Sequence, residues 1–147
     1  MSIEADKARI VEFMERAFNQ GDLSLIDGHF TPGAVDHQEP TGTDFTAHLK
    51  EVITNLRTAF PDLHFEIHDI LGEGDLVAFR STMTGTHLGA LANGPMRIPP
   101  TGRHISVAHM HFIRSEGGKT TDLWHVWDLA GMMRQLGVMP QQDARPV

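Results

Sequence analysis

Ser106-Val107-Ala108-His109-Met110-His111-Phe112-Ile113-Arg114-Ser115-Glu116-Gly117-Gly118-Lys119-Thr120-Thr121-Asp122-Leu123-Trp124-His125-Val126-Trp127 is the stretch whose reading decides the fold. Side chains alternate in character on both sides of Ser115-Glu116-Gly117-Gly118, whose paired glycines suit a tight reversal. The pattern predicts two antiparallel strands, Ser106 to Arg114 and Lys119 to Trp127. Alternation then sorts the faces. Val107, His109, His111 and Ile113 share one face of the first strand, and Ala108, Met110, Phe112 and Arg114 the other. On the second, Thr121, Leu123, His125 and Trp127 lie opposite Asp122, Trp124, Val126 and Asp128. Three imidazoles, His109, His111 and His125, therefore gather on one sheet face, directly opposed Cβ atoms being about 5 Å apart and diagonal ones about 7–8 Å.

Upstream, Leu63, Phe65 and Ile67 alternate with His64, Glu66 and His68. Gly72-Glu73-Gly74-Asp75 turns the chain into a return strand from Leu76 to Thr86. A Gly/Pro-rich loop from Gly89 to Gly102 separates that strand from the hairpin and reads as a lid or rim. Before residue 60 the period changes to that of helices. Ser2 caps a first helix carrying Ile10, Met14, Ala17 and Phe18, which stops at Asn19-Gln20-Gly21. Asp22 caps a short second helix with Leu23, Ile26 and Phe30, ended by Thr31-Pro32-Gly33; a brief extended piece, Ala34 to His37, follows. Asp44 opens a third helix striped by Phe45, Leu49, Val52, Leu56 and Phe60 and closed by Pro61. Asp128 caps a last helical turn, Leu129 to Leu136. Helices first and a meander afterwards predict an α+β architecture, a curved sheet wrapped around helices as a cone with an interior pocket. One domain is expected over residues 1–140, with a polar tail over 141–147.

The chain has 147 residues, 12 Lys+Arg against 19 Asp+Glu and a net charge of −7. Such an acidic balance argues against a nucleic-acid surface, which needs clustered cations. The 40% apolar content suits a globule rather than a disordered chain. No apolar run approaches the roughly 20 residues a bilayer requires. The polar start, Met1-Ser2-Ile3-Glu4-Ala5-Asp6, does not read as a secretory leader, so a cytoplasmic location and no membrane partner are expected. The absence of cysteine removes thiol nucleophiles, Cys-ligated metals and disulfides. Ten histidines stand out, because imidazole changes charge near neutral pH.

A strand histidine is most simply a half-buried residue with one hydrogen bond, but three on one face point to acid–base chemistry or ligand contact. His109, His111 and His125, with His37 as a fourth, also have the spacing to chelate zinc or copper. Asp36 reads as an exposed loop residue beside His37 at a pocket rim. Arg80, mid-strand, could anchor an anionic or carbonyl group or pair with a helix carboxylate. Trp124 and Trp127 face opposite ways. No Gly-x-Ser-x-Gly elbow, P-loop, dinucleotide fingerprint or His-Glu-x-x-His is present. With no tyrosine, a developing enolate must be met by His, Arg, Trp, Thr or water.

Gly85-Thr86-His87-Leu88-Gly89, Pro100-Thr101-Gly102-Arg103, Gly118-Lys119, Trp124, Asp128 and Arg134-Gln135-Leu136-Gly137 together resemble the SnoaL-like polyketide cyclases, also called ester cyclases. Ala17-Phe18-Asn19-Gln20-Gly21-Asp22 and Asp36-His37 fit as well. The resemblance implies a cystatin-like α+β barrel, a homodimer or homotetramer, and cofactor-free ring closure of a polyketide ester by intramolecular aldol condensation. In that family an aspartate on the last strand is the general acid/base, with a histidine on the neighbouring strand. The corresponding positions here are His125, in place of the aspartate, and His111.

The expectation is a cyclase for a hydrophobic carbonyl compound. His125 removes the acidic C–H proton and later protonates the alkoxide, and His111 hydrogen-bonds the oxygen that gains charge. His87, His109, His37 and Arg80 would be further substrate contacts, and Trp127 part of the apolar wall. A hydroxylase or hydrolase of the same fold, the His-ligated metal site and a non-catalytic ligand-binding protein are the alternatives.

Overall fold

The computed structural model describes residues 2–93 and 95–139; the polar tail expected over 141–147 lies outside them. The chain opens with α1 (Ile3–Phe13), where Ser2 Oγ accepts the Ala5 N–H at 3.1 Å. Its continuation, Met14–Asn19, is wound as a π-helix rather than the regular α-helix expected. The wider turn brings Asn19 against the edge of the sheet. There its amide takes the Phe65 N–H at 2.7 Å and donates to the Phe65 carbonyl at 3.1 Å. A 3-10 turn, Leu23–Leu25, leads into α2 (Ile26–His29). Phe30, expected on that helix, instead begins β1 (Phe30–Asp36), because pairing with a distant strand outweighs local periodicity. Then come α3 (Phe45–Ala59, capped by Asp44), β2 (His64–Glu73) and β3 (Leu76–Thr86). The segment expected as an irregular loop contains a small hairpin, β4 (Leu91–Asn93) and β5 (Met96–Ile98), held because Leu91 and Ile98 are buried. β6 (His104–Glu116), β7 (Lys119–Trp127) and α4 (Leu129–Gln135) complete the chain.

The main sheet has the order β1-β7-β6-β3-β2. β1 runs parallel to β7 and the other pairs are antiparallel, so the sheet is mixed. It is α+β and curved as expected, but open: β1 and β2 are free edges, and helices fill the concave side. Ile10, Phe13, Ile53, Phe60, Val77, Phe79, Met83 and Val107 are among the buried residues of this layer. Each such side chain contributes about 1.5–3 kcal/mol by leaving water. The convex side stays open, with Met110, Phe112 and Val126 more than half exposed. No helix among the described residues is long and apolar enough to cross a membrane.

The register of β6 and β7 contains one irregularity that matters. Ser115 opposes Thr120, but Arg114 opposes Asp122, leaving Thr121 as the extra residue of a bulge. Its hydroxyl donates to the Arg114 carbonyl at 3.3 Å and to Asp122 Oδ2 at 2.7 Å. The extra residue changes the parity of the strand. Thr120 and Leu123 both face inward, so Thr121 does not continue the face of Leu123, His125 and Trp127 in the simple alternation expected. Beyond the bulge His111 lies directly opposite His125, and His109 opposite Trp127. At the hairpin end Arg9 ties α1 to the sheet, its guanidinium donating to Ser115 Oγ at 2.7 Å and to Asp6 Oδ1 at 3.3 Å.

Where β3 ends, the chain passes under the last turn of α3. Leu88 and Gly89 both donate backbone N–H groups to the Ala59 carbonyl, at 3.0 and 3.1 Å. A Cβ on Gly89 would lie 2.1 Å from the Thr58 carbonyl oxygen, a backbone atom that cannot swing away. Gly89→Ala is therefore expected to destabilise the fold by about 1–3 kcal/mol, read as a lowered urea midpoint. An unchanged midpoint would show that the helix end and the β4–β5 hairpin are free to separate.

Candidate functional site

A cavity of about 380 Å³ lies between the concave sheet face, α3, the π-helical segment and β4. Its walls differ. Met14, Phe18, Leu49, Val52, Leu56 and Met83 make an apolar side. Asp36, Glu39, His48, His109, His111 and His125 supply polar groups. The alternation of β6 and β7, corrected by the Thr121 bulge, delivers the three sheet imidazoles. The i, i+4, i+7 spacing of Phe45, Leu49 and Val52 delivers the α3 side.

The imidazoles form a stack. His111 lies over His125 with centroids 5.7 Å apart and planes 13° apart, and over His109 at 5.9 Å and 10°. Trp127 continues the stack beside His109 at 5.4 Å, and Phe79 flanks His111 at 4.4 Å. Parallel rings hold their nitrogens side by side, whereas zinc needs donors converging at about 2 Å. Among the described residues no group of three or more His, Cys, Asp or Glu side chains is arranged to hold a metal ion, the His109, His111 and His125 set included.

Two members of the stack are starved of partners. His111 Nδ1 and His109 Nε2 are buried with no hydrogen bond. Burial, with smaller repulsion from His109 and His125, pushes the His111 imidazole down to about 3. Burial and the His125 charge bring His109 to about 4. Both rings are neutral at pH 7. His125 differs. Its Nε2 lies 3.1 Å from Asp36 Oδ2 at the end of β1. The other oxygen of Asp36 accepts the Gln38 N–H at 2.9 Å, and Gln38 Oε1 accepts the backbone N–H of His125 at 2.7 Å. Burial pushes the pKa of the Asp36 carboxyl up, but hydrogen bonds from His125 and Gln38, with the charges of His125 and His48, outweigh it. The carboxyl stays below its ordinary value, an anion facing an imidazole.

The structure brings His109, His111, His125 and Trp127 to the cavity wall and leaves three other expected contacts elsewhere. Arg80 points to the convex side, half exposed, with its Nη2 2.8 Å from Asp69; its even position on β3 excludes it from the inward set Val77, Phe79, Ser81 and Met83. His37 also faces outward, one residue out of phase with Asp36, stacked on Trp124 at 4.4 Å and 2.9 Å from Asp122. His87 is fully buried behind the cavity, against Phe60, its Nδ1 accepting the Thr101 N–H at 3.1 Å. Sequence reasoning placed Asp36 in an exposed loop and passed over Glu39 and His48, all of which line the cavity. The signal available for Asp36 was its spacing of two from Ala34 on an extended segment; for His48, its place between Phe45 and Leu49 on the third helix.

The sequence model of the family described as SnoaL-like polyketide cyclase matches residues 8–136. The aklanonic acid methyl ester cyclase DnrD of Streptomyces peucetius is 31% identical over 144 residues, covering 93% of this chain and 92% of that protein. Among solved structures, TsrD of Streptomyces laurentii superposes with a TM-score of 0.82 at 25% identity, over 95% of this chain and 99% of that one. AclR of Streptomyces galilaeus, provisionally assigned as a hydroxylase, has a TM-score of 0.80 at 30% identity, over 97% and 87%.

The neutral stack carries a pH signature. A histidine whose folded value lies below the ordinary 6.5 binds its proton less readily folded than unfolded, so stability rises with pH. It is complete above pH 6.5 and declines as pH falls toward the folded values of about 4 and 3. His29, also lowered to about 3 by burial and by Arg9, adds to the slope from outside the cavity. His109→Phe keeps the stacking surface and removes one such proton. Urea unfolding between pH 7 and 4 is expected to give a shallower decline for the variant, by at most about 1.4 kcal/mol per pH unit. Identical slopes would mean that the ring is protonated in the folded protein.

Proposed function

The chain belongs to the SnoaL-like polyketide cyclase family, and from that membership we propose that it closes a ring in a hydrophobic carbonyl compound. The reaction is an intramolecular aldol addition, carried out by the chain's own side chains without a cofactor. The observation that carries this reading is the His125–Asp36 contact of 3.1 Å on the wall of a largely apolar cavity.

With Asp36 accepting the Nε2 proton, His125 keeps a lone pair on Nδ1 and can act as a base. It takes the proton from a carbon between two carbonyl groups, leaving an enolate. The enolate carbon bonds to a second carbonyl carbon of the same molecule, and the π electrons of that carbonyl move onto its oxygen. His111, kept neutral by burial, offers an N–H to the enolate oxygen as it gains charge. A neutral imidazole polarises without surrendering its proton, as befits a donor in a dry site. His109 is a second contact on the same wall. Trp127 and the apolar side hold the carbon skeleton and exclude water. A second reading, hydroxylation, is favoured by the similarity to AclR.

The test uses aklanonic acid methyl ester, the compound in the name of the Streptomyces peucetius relative. The protein is expected to convert it to a cyclised isomer of unchanged mass. No label should enter from ¹⁸O₂ or H₂¹⁸O, whereas label gained from ¹⁸O₂ would support the hydroxylase reading instead. His125→Ala is expected to lower kcat by about 10²–10⁴-fold. Asp36→Asn should cost a smaller factor, since the base remains but its ring loses the anion that orients it. Undiminished turnover by His125→Ala would remove that residue from the chemistry.

A further inference from the structure

The helix side of the cavity carries a second histidine–carboxylate pair that the ring closure described above leaves unused. His48, in the first turn of α3, places its Nε2 2.9 Å from Glu39 Oε1. Both side chains line the cavity, about one-third exposed. The turn Asp36–Glu39 connects this pair to the first, because Glu39 donates its backbone N–H to the Asp36 carbonyl at 3.1 Å. One four-residue segment thus sends one carboxylate to the sheet imidazole and another to the helix imidazole.

The geometry points to His48 as the acid that protonates the new alkoxide, with Glu39 as its positioning residue. This inference rests on the ring closure proposed above and gives its last step, the protonation of the alkoxide that the sequence expectation assigned to His125, to His48 instead. An imidazole that has just taken a proton from carbon on the sheet side is aimed at that carbon. The oxygen formed on the acceptor carbonyl lies across the closing ring, where the helix wall supplies His48. His48 enters as an imidazolium whose Nε2–H is held by Glu39. When the C–C bond forms and the carbonyl π pair becomes an alkoxide, the Nδ1 proton of His48 passes to that oxygen. His48 is left neutral and His125 protonated. Release of one proton to water and uptake of another restores both, with no oxidant or further reactant. The titratable groups that line the cavity together with His48 are Glu39 from the turn, Glu51 on its own helix, Asp36 on β1, and the sheet histidines.

The experiment separates the two proton transfers. With the ester used above in D₂O, deuterium entry at the acidic carbon reports abstraction by His125, and cyclised product reports the complete reaction. His48→Gln is expected to keep the exchange rate within about threefold while losing about 100-fold in ring closure. In the wild type kcat should fall at high pH as His48 loses its proton. Glu39→Gln should move that limb to lower pH, and His48→Gln should abolish it. Glu39→Gln also keeps the idea testable should His48→Gln fail to fold. Closure by His48→Gln at the wild-type rate overturns the inference, and so does joint loss of exchange and closure, the mark of a merely structural clasp. A wild-type protein that neither exchanges nor closes the ester overturns the ring-closure reading and this one with it.

Discussion

The pairing of β6 with β7 governs everything inside the cavity, and the governing detail is the single extra residue at Thr121. Without it the hairpin register set by Glu116 and Lys119 would continue unbroken, and His111 would oppose Trp124 instead of His125. A strand has a period of two, so a shift of one residue moves every side chain to the other face. Trp124 and Val126 would then point at the helices, and His125 into solvent. The bulge lets both ends of β7 bury their proper faces: Thr120 beside Ser115 near the hairpin, Leu123, His125 and Trp127 further along. The same parity fixes which residues of β1 can reach the site, because Asp36 pairs beside Leu123.

From that register follows a division of labour among chemically identical side chains. His109 and His111 are surrounded by rings and strands and have no ionic partner, so burial keeps them uncharged. A neutral imidazole in a dry wall is a hydrogen-bond donor or acceptor, fixed in direction by its stacking. His125 sits at the end of the stack where β1 contributes a carboxylate. In the proposed reaction the difference between a polarising group and a base is set by a neighbouring strand that is far away in sequence. The convex face shows the converse: Arg80 and His37 have carboxylate partners too, Asp69 and Asp122, but do not line this cavity.

What was legible in the sequence was local. Caps at Ser2, Asp44 and Asp128, the glycine turn at 117–118 and the alternation of β6 and β7 all express short-range physics, and the α+β order follows from them. Parallel pairing left no such mark. β1 joins β7 across more than eighty intervening residues, so nothing near Asp36 announces its partner, and Phe30 reads equally well as the end of a helix. Arg80 could have been placed by strict parity, since the odd-numbered apolar residues around it, Val77, Phe79 and Met83, point the other way. His48 was hidden for a different reason: a helix stripe is recognised by its apolar members, and a histidine among them leaves the pattern intact.

The residue exchanged at position 125 gains its sense from these distances. The family resemblance implies an aspartate at that position as general acid and base, with a histidine on the neighbouring strand. Here an imidazole stands there and the carboxylate is supplied from β1, 3.1 Å away. An imidazole is a stronger base than a carboxylate in general. In the proposed reaction the carboxylate stands outside the ring, where it would orient the imidazole and stabilise the cation formed when the proton arrives. A second consequence concerns space. An imidazole at 125 is longer than an aspartate side chain, and it lines the cavity that α3 closes from the other side. In the proposed reaction the substrate would fit between that imidazole and the helix, where His48 also lines the cavity.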